Sequence, residues 1–335
     1  MSFLSWKNVL NFYIYHTKDN EDFLKKIKHI PLTNYDDSNY IISSNNIVLN
    51  NDMKESQNQI DELTNFYKQN RLVTARMGCV EDSFLIDKLF NFKINSHLLI
   101  NESNEIDKYM KSNAGLYYKN KNDKNKVLDW WCSQTKELLI NDTTILTSAY
   151  CFLNFEIILW AKLNIKKTFY NYCYITEILL RNSDNKRILY IGNGVESIKK
   201  GYERGLQNVW KFPVSNFLMY YLKTPQTTLG MDYPHNSMIE TCEEIVKEVN
   251  HKYNDFDTAI FSCGAYAAPL INILRKQYPN KNLVYLGSDC FKMFGIYSKL
   301  MPYTYFSDAI IENWIEVVEE LPKGCINHPE KKYWR

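Results

Sequence analysis

Within six residues, Arg76-Met77-Gly78-Cys79-Val80-Glu81 gathers a permanent cation, a flexible backbone point and a carboxylate. The run follows the apolar Leu72-Val73, so it falls where a short strand ends and a helix begins. A turn of that make-up can hold an anionic ligand through Arg76 and let its backbone approach closely at Gly78. Glu81 can then take up a proton or coordinate a cation. The same spacing also suits an Arg76–Glu81 ion pair that does no more than fix the turn.

Three further turns share this character: Gly192-Asn193-Gly194, Cys263-Gly264-Ala265-Tyr266 and Gly287-Ser288-Asp289. In open α/β sheets, ligands bind beyond the carboxyl ends of the strands. There the N–H groups that open the next helix point at an anion. Several such turns on one edge imply a phosphate-bearing ligand, most simply a nucleotide. Each alone also serves as a tight strand-to-helix connection. His235, after Pro234 in a loop, suits contact with a diphosphate or an acceptor, and equally suits a capping or core role. Tyr266 suits stacking on a base or sugar, and equally suits packing.

The elements that must position these turns alternate. Strands are expected at 71–75, Arg187–Ile191, Val209–Phe212, Thr258–Ser262 and Leu283–Leu286, and helices at 59–70, Glu196–Arg204, Ile239–Asn250 and Ala267–Gln277. Strand–turn–helix units at this spacing predict an α/β fold, a Rossmann-like, mostly parallel sheet flanked by helices. Two short helices are expected within 3–30, and the polar, Asn/Ser-rich stretch 32–58 reads as a linker. Residues 1–58 thus form an N-terminal helical extension, and 59–335 the main domain, with a helical insert at about 103–180.

Composition narrows the classes. The 335 residues carry a net charge of +2, which gives no global field for nucleic acid. The eight cysteines include no Cys-x-x-Cys pair, which predicts reduced thiols in a cytoplasmic protein and no zinc site. No apolar run reaches the ~20 residues of a membrane helix. The 25 tyrosines suit carbohydrate stacking or self-association into a homo-oligomer.

Taken together, several segments resemble one family. Arg76-Met77-Gly78-Cys79-Val80-Glu81 looks like the Arg-x-Gly-x-x-Glu signature of GT-D-type glycosyltransferases, a Rossmann-like group of bacterial surface-glycan clusters. Asn113-Ala114-Gly115-Leu116-Tyr117 resembles its Asn-Ala-Gly-aromatic stretch. Pro234-His235-Asn236-Ser237, Phe261-Ser262-Cys263-Gly264-Ala265-Tyr266 and the run Leu286–Ile296 resemble later segments in the family's order, as do Trp314 and Tyr333-Trp334. The likeness runs from about residue 60 to the C-terminus. It implies transfer of a sugar from a nucleotide donor, most simply UDP-linked, to a glycan or other hydroxyl acceptor. Arg76, Gly78, Gly192, Asn193, Gly194, Cys263, Gly264, Ala265, Tyr266, Gly287 and Ser288 would bind the donor, and Glu81 and His235 would be catalytic. A divalent ion, manganese or magnesium, would rest on Glu81 and Asp289. Some family members carry Asp-Gly-Glu where this chain has Cys79-Val80-Glu81, so the first carboxylate of that pair is missing.

Two other readings stand beside it. Leu189-Tyr190-Ile191-Gly192-Asn193-Gly194 resembles the first motif of Rossmann-type methyltransferases, whose ligand is S-adenosylmethionine. That family ends its next strand on an acid for the ribose hydroxyls, whereas the expected next strand here ends Lys211-Phe212-Pro213-Val214. A catalytically silent glycan-binding module of the same fold is the third.

Overall fold

A computed structural model of the chain describes residues 40–43, 46–49, 53–90, 110–148, 159, 163, 165, 169–228, 233–297 and 308–320. The helices expected within 3–30 and the closing Tyr333-Trp334 lie outside the described residues.

An antiparallel hairpin, β1 (Tyr40–Ser43) and β2 (Asn46–Leu49), precedes helix α1 (Met53–Lys68). The stretch expected as a linker therefore contains a hairpin and the first turn of a helix. Its apolar Ile41, Ile42, Ile47 and Val48 pair across the hairpin.

Seven parallel strands form the central sheet: β3 (Val73–Ala75), β4 (Thr144–Ser148), β5 (Phe169–Asn171), β6 (Arg187–Gly192), β7 (Leu218–Lys223), β8 (Thr258–Ser262) and β9 (Asn282–Tyr285). Their order is β5-β4-β3-β9-β8-β6-β7. The three-residue β5 extends one edge of a six-stranded Rossmann-like core. Strands this buried carry apolar side chains on both faces, and successive residues point opposite ways. Leu189, Ile191, Ala259, Phe261, Leu283 and Tyr285 pack on one face; Ile188, Tyr190, Ile260, Val284 and Leu286 pack on the other.

Each face has its own core. Helices α2 (Cys79–Phe90), α3 (Lys124–Ile140), α6 (Met238–Lys252) and α7 (Ala267–Gln277) cover the first, around Trp131, Phe84 and Phe261. Helices α1, α4 (Tyr172–Asn182), α5 (Val195–Glu203) and α8 (Asp289–Met293) cover the second, around Tyr67, Tyr190 and Phe294. The last described segment adds a small parallel pair, β10 (Ile296–Tyr297) with β11 (Ile315–Glu316). Along β3, β9, β8 and β6 the outgoing turns lead alternately to the first and second face. That alternation opens crevices at the carboxyl edge of a parallel sheet.

Two expectations need correction. Among the described residues, the segment expected as a helical insert at about 103–180 is not helical throughout, since beside α3 it supplies β4 and β5 to the sheet. Val209–Phe212 is not a strand: its apolar side chains are buried by irregular backbone, with one antiparallel bridge from Trp210 to Ala309. The strand after β6 is instead Leu218–Lys223.

Candidate functional site

The four turns singled out in the sequence lie side by side at the carboxyl edge of β3, β9, β8 and β6, and neighbours are tied together. Arg76 Nη1 donates to the carbonyl of Leu286 at 2.7 Å, joining the first turn to the β9 turn. Ser262 Oγ donates to the carbonyl of Gly287 at 2.8 Å, joining β8 to β9. The N–H of Asn193 donates to the carbonyl of Ser262 at 3.3 Å, joining β6 to β8. Strands stand about 4.8 Å apart, so the outermost two turns are separated by about 14 Å.

The densest charge lies where β3 meets β9. Asp289 opens α8 and is 2% exposed. Its Oδ2 accepts from Arg76 Nη1, and its Oδ1 pairs with Lys292 Nζ at 2.8 Å. Both cations are only 14% exposed. Burial pushes the Asp289 carboxyl up, but Arg76 and Lys292 outweigh it and hold the group below the ordinary carboxylate range. The spacing Asp289–Lys292 places both on one helix face, a signal present in the sequence but not used there.

Glu81 and Asp82 occupy the first turn of α2, where a negative charge is favoured by the helix dipole. Both are buried. The Glu81 side chain folds back over the turn: a Cβ on Gly78 would lie 3.2 Å from Glu81 Cδ. Glycine at 78 thus makes room for the carboxylate.

The Cys263–Tyr266 turn departs from expectation. Its N–H groups were expected to face a ligand, yet that of Ala265 donates to Ala114 at 2.8 Å and that of Tyr266 to Cys263 at 3.2 Å. Gly264 has φ +54°, and a Cβ there would press on the Ala114 carbonyl at 2.6 Å. The glycine therefore serves the approach of the Asn113–Tyr117 segment. The Tyr266 ring is buried, and its hydroxyl donates to Thr227 Oγ1 at 3.0 Å while Thr227 donates to the Gly115 carbonyl at 2.6 Å. It offers no face for stacking. Burial raises the pKa of both Tyr266 and the Cys263 thiol, so each stays protonated and uncharged.

The Gly192–Gly194 turn is likewise spoken for. Gly192 packs on the Ser262 carbonyl, and left-handed Gly194 packs against the Phe291 ring. Asn193 Oδ1 accepts from Thr224 Oγ1 at 2.9 Å. At the start of α5, Glu319 accepts the N–H of Ser197 at 3.0 Å and also its hydroxyl. A carboxylate of the chain itself thus holds the helix N-terminus. The strand that follows, β7, ends at Lys223-Thr224 with no acid, so the ribose-binding carboxylate of a methyltransferase is missing at the true strand end as well.

His235 stands before α6. Its Nδ1 lies 2.9 Å from Thr241 Oγ1, which also bonds the Tyr117 hydroxyl. The same segment reaches the edge through Ala114 and docks the His235 loop through Met238 N–H to the Tyr117 carbonyl at 3.1 Å. The structure therefore connects His235 to the Cys263–Tyr266 turn by way of 114–117.

A divalent ion on Glu81 and Asp289 does not fit these residues. Both Asp289 oxygens already face a cation, and a metal would have to displace Arg76 or Lys292. Among the described residues, no group of three or more His, Cys, Asp or Glu side chains is placed to hold a metal. No described helix is long and apolar enough to cross a membrane.

No protein-family profile, no curated protein and no solved structure matches the chain.

Proposed function

We propose that the chain is a glycosyltransferase of the GT-D type, which moves a sugar from a nucleotide-diphosphate donor, a UDP-sugar in its simplest form, to the hydroxyl of a glycan or similar acceptor. The observation that carries this reading is the Arg76–Asp289–Lys292 cluster between the β3 and β9 turns, with Glu81 in the adjoining helix turn. It supplies positive charge at the sheet edge where ligands of this fold class bind. In the reaction, the acceptor oxygen bonds to the anomeric carbon, whose bond to the phosphate oxygen breaks. The electron pair leaves with the nucleoside diphosphate. The cations stabilise that growing charge, and Glu81 accepts the acceptor's hydroxyl proton.

The other turns then act as supports. Inward-facing N–H groups and buried rings keep the edge rigid, a condition for electrostatic stabilisation without reorganisation. A thermal-shift series with UDP-sugars, GDP-sugars and S-adenosylmethionine, each with and without manganese, tests the assignment. Stabilisation by a nucleotide sugar together with transfer that falls at least a hundredfold in Glu81→Gln is the expected result. Stabilisation by S-adenosylmethionine alone, or by none of them, overturns it.

A further inference from the structure

We propose that the β6 turn receives the uncharged, nucleoside end of the sugar donor, and that the side-chain amide of Asn193 is the group that meets it. The inference rests on the nucleotide-sugar reading and fixes which way round the donor lies within it.

The backbone of this turn is occupied, but one side-chain atom is not. Asn193 is clamped at three points. Its N–H donates to the Ser262 carbonyl at 3.3 Å, its carbonyl accepts from the Tyr190 hydroxyl, and its Oδ1 accepts from Thr224 Oγ1 at 2.9 Å. Thr224 is fully buried, and among the described residues Asn193 Oδ1 is the one acceptor that its hydroxyl meets. A buried hydroxyl proton needs an acceptor, so the amide oxygen points at Thr224 and the amide nitrogen points away from it. Among the described residues nothing accepts from that nitrogen, and the Asn193 side chain is partly exposed at the carboxyl edge. A hydrogen-bond donor is thus held in place with no partner of its own, and a ligand that takes it need not immobilise it.

The charge beside the turn selects what comes there. A phosphate would seat at the N-terminus of α5, and that end already holds the Glu319 carboxylate. Ser197 Oγ accepts the N–H of Val318 at 2.9 Å, so its own proton goes to Glu319, and both oxygens of that carboxylate are bound. A second anion would meet a like charge there, whereas a ribose hydroxyl or a base carbonyl would not. The cations Arg76 and Lys292 stand instead at the β3 and β9 turns. β9 and β6 are separated by β8, which sets them roughly 10 Å apart, too far for one phosphate to meet both. The diphosphate therefore lies toward β3 and β9, and the nucleoside toward β6.

Asn193→Asp tests the assignment, because an aspartate oxygen still accepts from Thr224 while the outward donor becomes an acceptor. In calorimetry on the full-length protein, the variant should bind UDP at least about tenfold more weakly. Its affinity for inorganic pyrophosphate should stay within about threefold, since screening mutes the added charge at that distance. The Asn193 side-chain amide signal in ¹⁵N NMR, identified by its absence in Asn193→Asp, should move with UDP and stay still with pyrophosphate. A loss that vanishes for 2′-deoxyuridine diphosphate assigns the contact to the 2′-hydroxyl, and a loss that persists assigns it to the rest of the nucleoside. Equal UDP binding by wild type and variant, a pyrophosphate loss as large as that for UDP, or an Asn193 signal that moves with pyrophosphate overturns the proposal. If wild type binds neither UDP nor pyrophosphate, the nucleotide-sugar reading itself falls, and this assignment with it.

Discussion

Glu319 holds Ser197 by two bonds, from its N–H at 3.0 Å and from its hydroxyl, across 122 residues of chain. The N-cap residue of α5 is Gly194, which has no side chain to satisfy the first N–H groups of that helix. A distant carboxylate performs the capping and complements the dipole. Glu319→Ala should therefore lower stability by about 1 kcal/mol, read as a shift in the urea midpoint with an unchanged slope. An unmoved midpoint would show that the contact is idle.

Asp289→Asn should be more damaging. It leaves Arg76 and Lys292 facing each other without their shared counter-charge, a loss on the order of 3–5 kcal/mol for a buried pair. Restoration of stability by the double variant Asp289→Asn, Lys292→Met relative to Asp289→Asn alone would confirm that the penalty is electrostatic, since the two positions must then couple.

The same carboxyl sets a pH dependence. Its pKa in the folded protein lies below the ordinary value, so its stabilising effect is complete above the usual carboxylate pKa of about 3.9 and fades as pH falls through the depressed folded value. Melting temperature measured from pH 6 downward should fall more steeply for wild type than for Asp289→Asn. Parallel curves would contradict the assigned cause.

Gly264→Ala should cost about 1–3 kcal/mol, because alanine is strained at a positive φ and its Cβ would press on the Ala114 carbonyl. A variant that melts with wild type would mean that the Ala114–Ala265 contact can shift at no cost.

Tyr266→Phe separates support from ligand contact. Loss of the bond to Thr227 should reduce stability by about 1 kcal/mol, while the affinity for UDP stays within twofold. A large loss of affinity without loss of stability would return Tyr266 to the ligand.

The parts of the fold that could be read from sequence are those whose burial is continuous. Thr258–Ser262 and Ala267–Gln277 match their expected bounds because a fully buried parallel strand reads as an unbroken apolar run ahead of an amphipathic helix. β7 was hidden because it is an edge strand, with Leu218 61% exposed. Trp210 and Phe212 imitated a strand because side-chain burial does not require regular backbone. At the site, sequence placed the turns but not the direction of their N–H groups. Ala265 donates to Ala114, a partner 151 positions earlier that no local pattern announces. Glu319 gives no local signal either, since its role exists only once β11 has brought it beside α5.

Strand β9 is the last of the large sheet to be synthesised, yet it belongs between β3 and β8. As the chain leaves the ribosome, the early half carries β3 with one side unpaired, and the later half carries β8 in the same condition. Neither gap closes before Tyr285 has emerged. Such delayed pairing across long loops slows folding and exposes strand edges to other chains. Production of this protein should thus be sensitive to chaperone supply and growth temperature.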